Sequence, residues 1–257
     1  IFYGVPTLYV AMLASDQLPA REQVKLRVCT SAGEALPREV GEKFTAHFGC
    51  EILDGLGSTE MLHIFLSNRS GAVRYGTTGQ PVPGYEVELR DELGRPVSEG
   101  EVGDLYIQGP SAAHLYWTNR EKSMATFQGA WVKSGDKYVR DSDGFYSYAG
   151  RSDDMLKVSG QYVSPIEVEA ALMGHEAVLE CAVVGKTAPQ GLTKPVAYVV
   201  LRQGRHAGAE VEADLKAFVK TRLAPHKYPR EIHFTADLPK TATGKIQRFK
   251  LREQDAH

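Results

Sequence analysis

Cysteine is scarce in this chain. Cys29, Cys50 and Cys181 are the three in 257 residues, and no CxxC pair occurs. An odd, widely spaced set argues against a disulfide framework and a paired-thiol zinc site. It fits a reducing compartment, with each cysteine serving as a small buried apolar residue. Eight histidines are scattered without metal-ligand spacing. Long apolar runs are also missing: residues 196–201 are far short of the ~20 needed to cross a bilayer, and no secretory signal is visible. A cytoplasmic location with no membrane partner is therefore expected. The formal net charge of -2 leaves no broad positive field for a nucleic acid or an anionic membrane.

What remains is an ordinary globular composition, 42% hydrophobic and 24% charged, with room for one large or two small cores. The chain starts at Ile1 rather than Met, and residues 1–7 read as a buried strand running into a helix start. The expectation is the carboxy-terminal half of a longer protein. Residues 24–30 form a short apolar run of the kind buried in parallel sheets. Pro37 followed by Val40, Phe44 and Phe48 predicts a helix with an apolar stripe, and residues 51–54 the next strand. This βα alternation implies a parallel sheet with helices on its faces. From about Val73 the pattern becomes period-two strands with turns, at 85–90, 101–107, 131–136 and 144–148, which reads as an antiparallel or barrel-like subdomain. After Arg151 comes a small α+β unit: a helix over 165–173, strands over 178–184 and 195–201, an amphipathic helix over 211–223 and a strand over 231–234. The fold class is α/β, with a first domain over 1–152 and a small second domain over 153–257.

Several segments can carry chemistry. Asp54-Gly55-Leu56-Gly57-Ser58-Thr59-Glu60 is placed just past a strand's carboxyl end, where open α/β sheets bind ligands. Its glycines allow close backbone approach, Thr59 can donate to a phosphate, and Glu60 can reach Mg²⁺, which prefers oxygen. The same string also suits a helix cap. Thr30-Ser31-Ala32-Gly33-Glu34-Ala35-Leu36-Pro37 follows a strand and opens a helix, whose amino terminus favours an anion. Ser134-Gly135-Asp136 reads by itself as a turn before a hairpin. His63 sits alone in the apolar stretch 61–66, where a core histidine is the competing reading.

Near the end stands Leu238-Pro239-Lys240-Thr241-Ala242-Thr243-Gly244-Lys245-Ile246, and about ninety positions earlier Gly150-Arg151-Ser152-Asp153-Asp154, leading to Lys157-Val158-Ser159-Gly160-Gln161. Together, and in this order, these resemble the carboxy-terminal signatures of the adenylate-forming superfamily: acyl- and aryl-CoA synthetases, peptide-synthetase adenylation domains and luciferases. Such enzymes activate a carboxylic acid with ATP, and the CoA ligases then exchange AMP for CoA.

The resemblance implies roles residue by residue. Residues 1–152 would be the carboxy-terminal part of the large AMP-binding domain, and 153–257 the small mobile domain with its hinge at Asp153. Gly33, Glu34 and Ala35 would lie along the adenine, and Asp54, Leu56, Ser58 and Thr59 would contact the nucleotide, Leu56 standing where the family often has an aromatic. Glu60 would hold Mg²⁺. Asp136 would accept both ribose hydroxyls, and Arg151 would be the second ribose-phosphate contact. Lys157, Ser159, Gly160 and Gln161 would bind CoA. Lys245 would bridge the carboxylate and the α-phosphate as charge develops. The segment 76–84 is similar to a turn that follows the Thr-Glu motif, not to the family's phosphate-binding loop, so that loop is expected to lie outside this chain and the chain alone to be impaired as an enzyme. The string 54–65 is similar to benzoate-CoA ligases, with Gly57 and His63 in the acyl pocket. The implied partners are ATP, Mg²⁺, coenzyme A and an aromatic, benzoate-like acid; a homodimer is compatible with the sequence. Two alternatives stay open: loading another acid or a carrier-protein thiol, and a non-catalytic nucleotide-binding role.

In the complete polypeptide, Lys245→Ala should slow adenylation by at least ~10²-fold, the order expected for losing one transition-state donor, while thioester formation from supplied acyl-adenylate survives. Half-reaction kinetics test this, and equal loss of both steps counts against the role.

Overall fold

The computed structural model describes residues 1–158, 161–187, 193–241 and 246–254. The chain separates into two compact units, Ile1–Tyr148 and Ala149–His257.

The first unit begins with β1 (Phe2–Gly4), α1 (Pro6–Leu13), β2 (Cys29–Ser31), α2 (Arg38–Phe48) and β3 (Ile52–Gly57). β1, β2 and the first half of β3 pair in parallel. Tyr9 of α1 is buried, donates its hydroxyl to Thr30 O at 2.7 Å, and meets Phe2 and Phe44 edge-on. In α2 the predicted stripe forms: Phe44 and Phe48 are buried and Val40 packs against them. Pro37 caps the helix from outside, where its missing N–H costs nothing.

Two expectations change. The strand foreseen at 24–30 is confined to Cys29–Ser31, because registered pairing with β1 begins only at Phe2↔Cys29; Val24 and Leu26 still turn toward the core without a ladder. β1 is not buried: it is the outermost strand in the order β1-β2-β3 and onward, and Tyr3 is 73% exposed. The cysteines are all free and buried, yet Cys29 and Cys50, distant in sequence, bring their sulfurs within 3.7 Å. Burial pushes the Cys29 thiol up to about 12, which leaves it unreactive.

The second half of β3 pairs antiparallel with β4 (Ile64–Ser67), which pairs with β5 (Gln80–Pro81). A separate antiparallel sheet follows, built from β6 (Glu86–Arg90), β7 (Val102–Gln108), β9 (Trp131–Arg140) and β10 (Tyr146–Arg151) in the order β10-β9-β7-β6. The short α3 (Arg120–Thr126) and β8 (Phe127–Gln128), which pairs with β9, come between β7 and β9 in the chain. Leu89, Leu105, Ile107, Val132, Tyr138 and Tyr146 of this sheet share one core with Met61, Phe65 and Leu66.

The second unit holds the hairpin β11 (Leu156–Val158) and β12 (Gln161–Val163), then α4 (Pro165–Met173), β13 (Val178–Thr187), β14 (Thr193–Leu201), α5 (Ala209–Lys220), β15 (Glu231–Phe234) and α6 (Arg248–Gln254). β13 and β14 are antiparallel, and β14 and β15 parallel. Both faces of this sheet are covered. Cys181, Val183, Ala197 and Val199 join Val168 and Leu172 of α4 and Leu215 and Val219 of α5. Ala182, Val184, Val196, Tyr198 and Val200 join Leu238 and Leu251 on the other side. Burial on both faces is why these strands read as continuous apolar runs instead of alternating ones. Among the described residues no helix is long and apolar enough to cross a membrane.

α6 had no sequence signal, since its charged residues surround a single buried Leu251. It is fastened by Arg248, which donates from Nη2 to both Glu169 oxygens at 2.9 and 2.8 Å, while Glu169 also accepts from the Val183 amide at 2.7 Å. Burial raises the Glu169 carboxyl against the pull of that guanidinium. Arg248→Ala leaves a buried carboxylate unpaired and should destabilise the second unit by about 3 kcal/mol in denaturant unfolding. A loss under about 0.5 kcal/mol would show the pair to be dispensable.

Candidate active site

β3 brings the motif residues into place, though not as the sequence suggests. Asp54 lies inside the strand, paired in register with Ser31 of β2, and only residues 58–60 lie beyond its end. No helix follows. Residues 58–63 turn directly into β4, through hydrogen bonds from Met61 N to Ser58 O and from Leu62 N to Thr59 O. Gly57 permits this turn: a Cβ there would meet His63 O at 2.6 Å. At Leu62 the backbone is strained. His63 N donates to Met61 O at 2.9 Å across a leucine with φ 71, a tight γ-turn at positive φ. Strain of this kind, on the order of 1–3 kcal/mol, persists only where its surroundings hold it.

Those surroundings are identifiable. Ala113 N donates to Glu60 O at 2.8 Å, and Ser111 Oγ to Met61 O at 2.6 Å. Tyr85 Oη lies 2.6 Å from Ser111 Oγ and 3.1 Å from His63 Nε2, and His63 Nδ1 lies 2.8 Å from Ile64 O. The apolar stretch 61–66 therefore divides. Met61, Phe65 and Leu66 are core residues, whereas Leu62 is 76% exposed and His63 is exposed, not a core histidine.

Glu60 is pinned by Tyr116, whose hydroxyl donates to Oε1. Partial burial pushes the Glu60 carboxyl up, but hydrogen bonds from Tyr116, its own amide and Ser58 outweigh this and hold it below its ordinary value. Lys122 stands 4.3 Å from the centre of the Tyr116 ring. The site thus keeps an anionic carboxylate with one oxygen oriented. Tyr116 and Ser111 had no sequence signal, since a tyrosine or serine outside a periodic pattern looks like any other, and Tyr85 was legible only as the start of a period-two strand; Gly109-Pro110 marks a turn nearby.

Asp54 is the opposite case. Burial lifts its carboxyl to about 7, against opposing pulls from the Ser31 hydroxyl and the Leu36 amide. Asp54 Oδ1 and Ser31 Oγ are both buried without a well-formed hydrogen bond. Two such atoms on neighbouring strands suit a ligand edge offering donors and acceptors. Leu56 packs against the barrel core beneath. Gly33 and Ala35 are exposed and Glu34 half-buried on the loop between β2 and α2, while Ser58 is half-buried and Thr59 exposed.

Asp136 sits in the middle of β9 rather than in a turn. Tyr106 pairs with Lys133 and Asp104 with Lys137, so three residues, 134–136, oppose Leu105 alone. This bulge has Gly135 at φ 78, and Ser134 Oγ accepts from the Asp136 amide at 3.0 Å. In the second unit, Arg151 ends β10 with Nε 3.7 Å from Asp153 Oδ1, both exposed. Lys157 and Gln161 are exposed on the β11–β12 hairpin, with Lys157 Nζ 5.6 Å from the centre of the Tyr162 ring. Ser159, Gly160 and Lys245 lie outside the described residues. Among the described residues no cluster of three or more His, Cys, Asp or Glu could hold a metal unaided. Glu60 still fits Mg²⁺, which usually takes one or two carboxylates plus substrate phosphates.

The arrangement matches known proteins along nearly its whole length. The AMP-binding enzyme family model matches residues 1–117, and the model of the AMP-binding enzyme C-terminal domain matches residues 167–245. The chain belongs to the AMP-binding enzymes. It is 63% identical to a benzoate–CoA ligase of Thauera aromatica, over 98% of this chain and 48% of that protein. It is 48% identical to a 4-hydroxybenzoate–CoA/benzoate–CoA ligase of Rhodopseudomonas palustris, over 98% of this chain and 47% of that one. Among solved structures, a benzoate CoA ligase from Burkholderia xenovorans LB400 superimposes with a TM-score of 0.88 at 70% identity, over 98% of this chain and 50% of the other. The chain spans about half the length of the curated relatives it matches.

Between about pH 4 and 7 the folded state retains the Asp54 proton while the unfolded state has lost it, so this residue's contribution to stability falls as pH rises through that window. Asp54→Asn removes the titration. Its advantage over the parent chain should grow by about 3 kcal/mol from pH 5 to pH 8, at about 1.4 kcal/mol per unit. Urea unfolding at both pH values measures this, and a pH-independent difference would refute the burial argument.

Proposed function

We propose that the polypeptide carrying this chain is an aryl-CoA ligase acting on benzoate or a close relative. In the first step a carboxylate oxygen attacks the α-phosphorus of ATP and pyrophosphate leaves, giving acyl-AMP. In the second, the CoA thiolate attacks the acyl carbon and AMP departs with the carboxylate oxygen it gained. The observation that carries this reading is the clamped turn after β3. It couples an anionic Glu60, oriented by Tyr116, to an outward-facing Leu62 and His63 two and three residues on.

In this reading Glu60 would hold Mg²⁺, which would supply neutralisation of phosphate charge. Thr59 donates to phosphate, and the loop of Gly33, Glu34 and Ala35 lies along the base with Asp54. Asp136 accepts from the ribose diol, for which two carboxylate oxygens are the matching acceptor. Gly57, Leu62 and His63 line the pocket for a flat aromatic acid, Leu62 as apolar wall and His63 as polar contact. Lys245 stabilises charge at the α-phosphate, Arg151 meets the ribose-phosphate, and Asp153 is the hinge that lets Lys157, Ser159, Gly160 and Gln161 take over for CoA. Identity to benzoate-CoA ligases, 63% for the Thauera protein and 70% for the Burkholderia structure, favours benzoate over other acids.

The test is AMP release by the polypeptide completed to the length of its relatives, with MgATP, CoA and a panel of benzoate, substituted benzoates and short fatty acids. Benzoate-dependent turnover that requires CoA is expected. Turnover with aliphatic acids alone would overturn the aryl assignment, and none with any acid would overturn the ligase reading.

A further inference from the structure

The bulge that presents Asp136 is bracketed by two lysines, and one carboxylate holds both. Lys133 and Lys137 lie immediately on either side of residues 134–136. Across the strand pair, Asp104 of β7 meets Lys137 Nζ with Oδ1 at 3.0 Å and Lys133 Nζ with Oδ2 at 3.1 Å. The Asp104 and Lys137 side chains are 6% and 5% exposed. Arg90 pairs with Asp104 from the far side of β7, but its guanidinium is engaged by Glu88 at 2.8 Å and lies over the Tyr106 and Trp131 rings.

A buried ion triad is weak evidence for stability, because desolvation cancels much of the attraction. Geometry suggests a different use. Extra residues in one strand interrupt the β7–β9 ladder and bend the bulged strand, while β9 keeps β10 on its other edge. Drawing both flanks to a single two-oxygen anchor fixes the span between them.

We propose that Asp104 is a positioning residue for nucleotide binding: by gripping Lys133 and Lys137 together it holds the bulge in the shape that aims Asp136 at the ribose. The inference rests on the reading of Asp136 as the ribose acceptor. Asp104 touches no substrate; it acts through the two lysines.

The experiment is calorimetric titration of AMP into the completed polypeptide and four variants. Asp104→Asn should weaken AMP at least tenfold, and Asp104→Glu, which restores the charge, should recover part of that loss. The triple variant Asp104→Leu, Lys133→Met, Lys137→Met removes every charge. It should fold at least as well as Asp104→Asn, because apolar replacement of a buried ion triad is often neutral or stabilising, yet still bind AMP weakly. Full AMP affinity in Asp104→Asn, or its recovery in the triple variant along with stability, would overturn the proposal and leave the triad a packing element. Asp136→Ala, run alongside, should itself weaken AMP at least tenfold. If it does not, the ribose reading fails and the proposal with it; if it does while Asp104→Asn binds normally, only the anchoring role fails.

Discussion

One strand serves two sheets, and the site in the first unit is arranged around that constraint. Residues 52–54 of β3 pair in parallel with β2, while residues 55–57 pair antiparallel with β4. The chain must leave a βα layer and enter an antiparallel one without a crossover, so it has to reverse within residues 58–63. Gly57 permits the approach of the His63 backbone, and Leu62 absorbs the remaining turn at positive φ. Met61 and Phe65, buried in the barrel core on either side, keep that turn from relaxing. Glu60, Leu62 and His63 are presented because the reversal leaves them nowhere else to go.

This also explains what could be read from the sequence. Apolar period and composition located α2, α4, α5, β14 and β15 closely, because each is held by burial of a regular stripe or a continuous apolar run. They could not locate α6, whose position depends on one leucine and on Arg248 reaching Glu169, seventy-nine positions away. Nor could they show that residues 24–28 lie outside the registered ladder, which depends on where β1 begins. The motif strings pointed to Asp54, Glu60 and Asp136, but not to their conformations. Ser134-Gly135-Asp136 looks the same in a turn and in a bulge, since both use a glycine at positive φ; only the register of β7 against β9 tells them apart. Tyr116, Ser111 and Asp104 act by position in space, and sequence periodicity is silent on such residues.

Buried charge is handled in two ways. Glu169 and Asp104 are paired with arginine or lysine, and in each case the pair joins distant stretches: α6 to α4, and β7 to both flanks of the bulge. Among the described residues Asp54 has no such partner, and it is held closer to neutrality instead. The contrast has a physical basis. A paired carboxylate fixes two parts of a chain relative to each other, whereas an unpaired buried one keeps hydrogen-bonding capacity for something else.

The carboxylates of the proposed nucleotide site differ in surroundings as their roles would require. Glu60 would have to stay ionised to hold a divalent cation, and the hydrogen bonds it accepts outweigh the cost of its partial burial. Asp54, enclosed between strands, sits near the point where it can donate as well as accept, which suits a heteroaromatic edge carrying both kinds of group better than it suits a metal. Asp136 is half-buried on a bulge, where its position can be set without deep desolvation. Opposite pressures on groups of the same chemical type are a recurring mark of functional assignment. Here they follow from three backbone settings (a parallel strand interior, a clamped turn and a strand bulge), so the fold itself places one kind of side chain in three different environments.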